Sequence, residues 1–204
     1  MARAQFGSKP SVLRCSRCGR FVDWEAARLQ IVCGCRQHVE LPPVIVRASA
    51  AADRAAITAL FLRDVGRTTL IAFGEAVDIA GVPTVVVDMD GDLAGALAYR
   101  RHGDAVQIVA LATDPEWQRS GVGARLVDHV EGVAAATGAV QVAVTTSNDN
   151  LPALYFYQRR GYRLVEVRLD AISAISGAVG APGFAGIPMR DEFHLVKAVV
   201  AAKT

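Results

Sequence analysis

A length of 204 residues suits one domain of about 150 residues with a small appendage. Hydrophobic residues make up 52%, ample for a packed core, while a net charge of +2 is too near neutral to argue for a nucleic-acid partner. The stretch from Met1 to Pro10 lacks the apolar run of a signal peptide, which points to a cytoplasmic protein.

The first feature along the chain is a cysteine cluster: Cys15-x-x-Cys18-Gly19 and, fourteen residues later, Cys33-Gly34-Cys35. Glycine after the second cysteine lets the backbone turn so that both thiolates meet one ion. Two such pairs suit a closed tetrahedral zinc site with no position left for a substrate. The second pair is tighter than the usual two-residue spacing, and His38 could replace one thiolate. A disulfide pair or a rubredoxin-like iron centre are the alternatives, and the missing secretion signal disfavours disulfides. Residues 1–40 are therefore expected to form a zinc-ribbon-like segment holding Zn2+ on Cys15, Cys18, Cys33 and Cys35. It is too short to have its own core, so metal would supply much of its folding energy. Seven basic residues there oppose three acidic ones, but four thiolates and the metal reduce the surplus to about +2. Phe21 and Trp24 suit a small apolar cluster better than base stacking. A structural or partner-docking ribbon is the preferred reading over a nucleic-acid-binding one.

Leu41-Pro42-Pro43 reads as a stiff linker into a second unit, residues 41–204. Val44–Arg47 is predicted as a strand and Ala50–Val65 as an alanine-rich helix opened near Asp53. A second short helix is expected near Gly74–Ala80. Thr84–Val87 is a strand, and Met89-Asp90-Gly91-Asp92 makes a hairpin turn. Leu93–Arg101 and Ala105–Ala112 are further strands. After them come a helix over Gly121–Thr137, a strand over Ala139–Thr145 and a helix over Leu151–Arg160. Strands over Tyr162–Leu169 and Glu192–Ala202 finish the chain, with no internal repeats. Ala171 to Met189 is uncharged and long enough to span a bilayer, but its glycines, prolines and serines mark it as a loop, so no membrane association is expected.

Two motifs carry chemistry. Gln118-Arg119-Ser120-Gly121-Val122-Gly123 sits between an apolar strand and a helix whose Val122, Leu126, Val130 and Val133 repeat at helical spacing. A helix N-terminus offers unpaired amides and partial positive charge, and glycine lets a phosphate approach closely. There is no Gly-Lys-Ser/Thr ending for a nucleotide triphosphate loop. The dinucleotide fingerprint also fails, since Thr113 to Gln118 lengthen the turn and Gln141 stands where an acidic residue is needed. The second motif is Asn150-Leu-Pro-Ala153-Leu-Tyr-Phe-Tyr157-Gln-Arg-Arg-Gly161-Tyr162. Asn150 suits an N-cap, Pro152 the first turn and Gly161 the C-terminal stop. Asn150, Ala153 and Tyr157 share one helix face, and Tyr155 points elsewhere.

Together these stretches resemble the two signatures of the GNAT acetyltransferase family. The resemblance runs from about residue 44 to the C-terminus, including Gly186-Ile-Pro-Met-Arg-Asp-Glu-Phe before the last strand. It implies an α/β (α+β) fold, a mixed central β-sheet flanked by helices, here preceded by the zinc ribbon. It further implies acetyl-CoA in a gap where the strand Val106–Ala112 splays from Ala139–Thr145. Pantetheine would bond near Leu111 and Thr113, and backbone amides there would stabilise an oxyanion. The pyrophosphate would sit on the amides of Arg119, Ser120, Gly121, Val122, Gly123 and Ala124, with Gln118 and Arg119 bordering it. Tyr157 would protonate the leaving thiolate, and Asn150 would orient the cofactor arm or a water. A homodimer is left open.

The base is the weak point of this resemblance. Many members place a glutamate near Gln107, and glutamine cannot take a proton. Glu75, Asp78, Asp114, His102, His129 and His194 are candidates, with none assigned. Gln107 also keeps a second reading open: a non-catalytic acyl-CoA-sensing module whose ribbon docks a protein or nucleic acid. The acceptor is an unidentified amine, because residues 50–80 and 171–189 carry no legible motif. Small amines, protein N-termini, lysines and aminoglycosides all remain open.

Overall fold

A computed structural model describes residues 12–14, 21–23, 44–89, 91–118, 120–172 and 182–199. Two short strands, β1 (Val12–Arg14) and β2 (Phe21–Asp23), pair antiparallel with Leu13 opposite Val22. Cys15, Cys18, Cys33 and Cys35, assigned to zinc on sequence, lie outside the described residues.

The rest is a walk along one sheet. Strand β3 (Val44–Ala48) leads through a 3-10 turn at Ala51–Asp53 into helix α1 (Arg54–Val65). Next comes a small hairpin, β4 (Thr69–Ala72) and β5 (Glu75–Asp78). Three antiparallel strands follow: β6 (Thr84–Met89), β7 (Asp92–His102) and β8 (Ala105–Thr113). Helix α2 (Val122–Ala136), strand β9 (Gln141–Ser147) and helix α3 (Leu151–Arg159) lead to the last pair, β10 (Arg163–Arg168) and β11 (Glu192–Ala198). Seven strands form a sheet in the order β10-β11-β9-β8-β7-β6-β3, and only β8 and β9 run parallel. This is the mixed, helix-flanked sheet that the motifs implied.

Both faces of the sheet are buried by apolar residues. Val122, Leu126, Val127 and Val130 of α2 pack on Val85, Val87, Leu97, Val106, Ile108 and Val144. On the other face, Leu60 and Phe61 of α1 join Leu70, Ala72 and Val77 of the small hairpin over Val86, Ala96, Ala98 and Ala112. Fully burying one such aliphatic side chain is worth about 1.5–3 kcal/mol, so each helix face is fixed by several of these contributions.

One expected element is wrong. Residues 74–80 are not a helix but the second arm of the β4–β5 hairpin and a 3-10 turn. Phe73 and Gly74, at φ of 59° and 75°, reverse the chain so that Ala72 faces Glu75 and Thr69 faces Asp78. Leu70, Ala72 and Val77 are buried while Thr69, Glu75 and Asp78 are exposed, a period of two rather than 3.6. Elsewhere the differences are at ends: β9 starts two residues later than expected, at Gln141, and β7 runs on to His102.

An ion-pair group pins the start of α1 to the sheet. Both guanidinium nitrogens of Arg47 on β3 reach Asp53, at 2.5 and 2.9 Å, and one also reaches Asp88 on β6 at 3.3 Å. The Ala50 amide donates to the same Asp53 carboxylate at 2.7 Å. The hydrogen bond from Arg47, then that from Ala50, hold the Asp53 carboxyl at about 2 instead of 3.8. A depressed carboxyl stabilises the fold above its ordinary value and loses that contribution as pH falls through the depressed one. Urea midpoints should therefore show Asp53→Asn less stable than wild type at neutral pH, by about 1 kcal/mol. The difference should close as pH falls from 3.8 towards 2. A gap independent of pH would exclude the charge as its origin.

Candidate active site

The sheet opens where its one parallel ladder stops. Ala105, Val106, Gln107 and Ile108 pair with Gln141, Val142, Ala143 and Val144, and there the pairing ends. Strand β8 runs on to Thr113 and β9 to Ser147 without each other. A bulge at Val109 marks the parting, since Tyr99 faces Ile108 while Ala98 faces Ala110. It also reverses side-chain parity: Val106 and Ile108 pack towards α2, whereas Ala110 and Ala112 pack towards α1. Backbone amides on the open edge of β8 thus face a gap instead of a neighbouring strand. The gap belongs to a cleft of about 1350 Å³ whose walls include Leu111, Thr113, Gln118, Gly121, Gly123, Ala124, Asn150 and Tyr157. Eight positions picked from sequence are thereby brought to one cavity.

At one end of the cleft stands the N-terminus of α2. Gly121 is its N-cap at φ 91°, a left-handed conformation that glycine adopts without strain. The first bond of the helix runs from the Arg125 amide to the Gly121 carbonyl at 3.1 Å, so the amides of Val122, Gly123 and Ala124 precede it without intrahelical partners. The Val122 side chain is buried in the core and only its backbone faces the turn. Ser120 directs both its amide and its hydroxyl to the Trp117 carbonyl, which ties it to the turn itself. Arg119 lies outside the described residues.

Helix α3 forms the opposite wall. The Asn150 side chain caps it by accepting from the Ala153 amide at 3.2 Å. Tyr157 is 5% exposed, edge-on to Phe156 and Tyr162 at 5.0 and 5.2 Å between ring centres. Burial pushes its phenol well above the ordinary tyrosine value, against a smaller opposing pull from Arg160. Tyr155 is 63% exposed and hydrogen-bonds Arg159 at 2.8 Å, so the two tyrosines differ as their spacing predicts. Arg159 and Arg160 also line the cleft and give this wall positive charge. Sequence reasoning passed over them, although two adjacent cations ahead of Gly161 were visible.

The remaining walls come from the end of α1, the β4–β5 hairpin and the start of β11, through Val65, Leu70, Ile71 and Glu192. Residues 182–191 are anchored to the turn before α3. Asn148 accepts from the amides of Arg190 and Asp191, at 2.9 and 3.0 Å, and donates to the Pro188 carbonyl at 3.0 Å. Asp149 is buried and accepts from the Phe184 amide at 2.9 Å.

Most candidate bases have structural duties. Gln107 is buried and accepts from Arg100 at 2.7 Å, and Arg100 also pairs with Glu75 at 2.8 Å. Asp114 pairs with Arg63 at 3.0 Å, and Asp78 caps the turn at Ala80. The residue missed on sequence is Glu192, buried in the wall and bonded to His194 at 2.9 Å and to the Phe73 amide at 2.9 Å. Burial alone would raise its carboxyl. The bond and charge of His194 and the amides of Gly74 and Phe73 outweigh burial and hold it below the ordinary value, so it stays ionised. The available signal was two polar residues spaced by two at the start of the last strand.

Comparison with known proteins bears on this geometry. The family model of the Acetyltransferase (GNAT) family matches residues 56–162, from α1 through the end of the second motif. The uncharacterized protein YxbD of Bacillus subtilis (strain 168) is 35% identical over 111 residues, covering 53% of this chain and 69% of YxbD. A Bacillus subtilis acetyltransferase solved in complex with CoA superposes at a TM-score of 0.63 with 20% identity, over 78% of this chain and all of the other. An IAA acetyltransferase from Bacillus cereus ATCC 14579 gives 0.61 and 20%, over 77% and 100%. These two solved structures share the fold. No helix among the described residues is long and apolar enough to cross a membrane.

The amide cluster of α2 is seated on β7 through Gly95. A Cβ there would lie 2.6 Å from Val122 Cγ1 and 3.1 Å from the Ala112 carbonyl oxygen. Gly95→Ala should cost about 1–3 kcal/mol in urea unfolding by forcing the helix terminus off the strand. A fully stable variant would show that this seat is adjustable.

Proposed function

This chain belongs to the GNAT family of acetyltransferases, and we propose that it moves the acetyl group of acetyl-CoA to a primary amine by direct attack in a ternary complex. The observation that carries the proposal is the splayed β8–β9 pair, with the amides of α2 at one end and Tyr157 in its wall. The related Bacillus subtilis enzyme solved with CoA supports the choice of ligand. Val122, Gly123 and Ala124 would hold the pyrophosphate on their amides with Gly121 shaping the turn, Gln118 and Arg119 bordering it and Ser120 fixing its form. Leu111 and Thr113 on the open edge of β8 would align the pantetheine arm, and free amides there would receive the oxyanion.

The neutral acceptor nitrogen attacks the thioester carbonyl, the carbon–sulfur bond breaks, and sulfur takes the phenolic proton of Tyr157. The proton shed by the new amide nitrogen returns through water to the phenolate. A thiol of pKa about 8.5 in water leaves into the same dry gap that raises the phenol, so both groups are shifted in one direction. The spare amide hydrogens of Asn150, whose oxygen is used by the cap, would orient the arm or a water. Residues 1–40 would form a zinc ribbon on Cys15, Cys18, Cys33 and Cys35. The β1–β2 pair supports it, because those strands close the connection in which the sequence places Cys15 and Cys18. Thiolates are the ligands zinc selects, and the ion would supply folding energy there.

Release of CoA thiol from acetyl-CoA across an amine panel tests the enzyme directly. Tyr157→Phe should lower kcat about 100-fold with acetyl-CoA affinity unchanged by calorimetry. No loss of rate from tyrosine ionisation should be seen below about pH 10. Tight acetyl-CoA binding with no turnover on any amine would instead favour an acyl-CoA-sensing module. For the ribbon, metal analysis of the full chain should find about one zinc per chain, lost in a Cys15→Ser/Cys18→Ser variant. Iron, or no metal at all, would overturn that assignment.

A further inference from the structure

Glu192, His194 and Glu166 form a row from the cleft wall to the surface, the first pair hydrogen-bonded and the second within ion-pair distance. Glu192 and His194 are two apart on β11 and project from one face, and Glu166 on β10 lies across the ladder from His194. Oε2 of Glu192 faces Nε2 of His194 at 2.9 Å, and Nδ1 faces Oε2 of Glu166 at 3.3 Å. Side-chain exposure climbs along the row from 1% to 15% to 56%. Each ring nitrogen lies beside a carboxylate oxygen, a setting in which an imidazolium, with two N–H donors, would serve both.

The surroundings hold this row in place. Oε1 of Glu192 accepts from the Phe73 amide, and the Gly74 amide adds a further bond. Arg168 stands 3.5 Å from Oε2 of Glu192 and 3.9 Å from Glu166. The Phe73 ring meets His194 edge-on at 5.5 Å. All of this lies on the sheet face of the β4–β5 hairpin, opposite the face on which Tyr157 packs.

We propose that this row removes the proton an incoming ammonium must lose before its nitrogen can attack, with Glu192 as the receiving group. The inference rests on the acetyl-transfer function above. One N–H bond of the ammonium breaks, and its proton passes to the Glu192 carboxylate directly or through one water. The Nδ1 proton of His194 passes to Glu166 and on to solvent. Glu192 and His194 together carry no net charge before or after, so no unpaired charge is stranded in a buried wall. Exchange with water after product release restores both groups. Glu192 is thus the catalytic residue, while His194 and Glu166 act through it.

The experiment compares two small acceptors with acetyl-CoA at pH 7: ethanolamine, which is charged there, and hydroxylamine, which is largely neutral. Glu192→Gln should lose about 100-fold in kcat/KM for ethanolamine and only a few-fold for hydroxylamine, with acetyl-CoA affinity unchanged. Raising the pH should recover the ethanolamine rate. Glu166→Gln, at an exposed site that leaves the buried carboxylate in place, should show the same selectivity in smaller degree. Equal losses for both amines, or none in either variant, would overturn the proposal. If wild-type protein acetylates neither these amines nor any in the panel, the acetyl-transfer function itself fails, a result distinct from failure of the relay.

Discussion

The four-residue parallel ladder between β8 and β9 governs the rest of the molecule. Parallel neighbours cannot be joined by a tight turn, so the chain must cross over, and here it does so through α2. A crossover helix begins near the C-terminal end of the strand it leaves. The amides of α2 therefore sit beside the point where β8 loses its partner, and the gap and its anion site arise from one topological decision. Had the ladder continued to Thr113, the free amides of β8 would be spent on β9 and no cleft would exist.

The two faces of the sheet are unequal. One carries α2 and Tyr157 over a core of branched aliphatic residues. The other carries α1 and the β4–β5 hairpin over small residues, among them Ala96, Ala98, Ala110 and Ala112. The cleft at the gap is lined from both faces. The bulge at Val109 makes this workable by turning the residues beyond it towards the other face. The Glu192 carboxylate then fastens the hairpin tip to β11, so the hairpin side of the gap is held by hydrogen bonds where the α2 side is held by packing.

Local chemistry was legible wherever a residue type is demanded by backbone geometry. Asn150 as an N-cap and a glycine at the start of α2 were both visible, and the structure adds that Gly121 is a left-handed cap. That Tyr157 and Tyr155 point to different faces followed from helical spacing, and the structure buries the first and exposes the second. The β4–β5 hairpin was not legible, since the turn uses Phe73 at positive φ, a residue that carries no turn signal. The bulge at Val109 was also hidden: residues 108–112 are uniformly apolar, and alternation cannot be read in a run with no polar member. Glu192 was overlooked because its partners come from β4–β5, β10 and its own strand, and their meeting is a tertiary fact.

Asn148, Asp149 and Asn150 are three consecutive residues with divided attachments: the first two grip residues 182–191, and the third caps the helix that carries Tyr157. The segment before β11 is thus buttoned to the helix that carries Tyr157 by one short turn. A segment with any larger residue at Gly183 would displace Asp149 from its bond to the Phe184 amide, because there is no room for a Cβ beside that carboxylate. The turn and the segment thus make up a single unit, and a change of sequence in one has to be matched in the other.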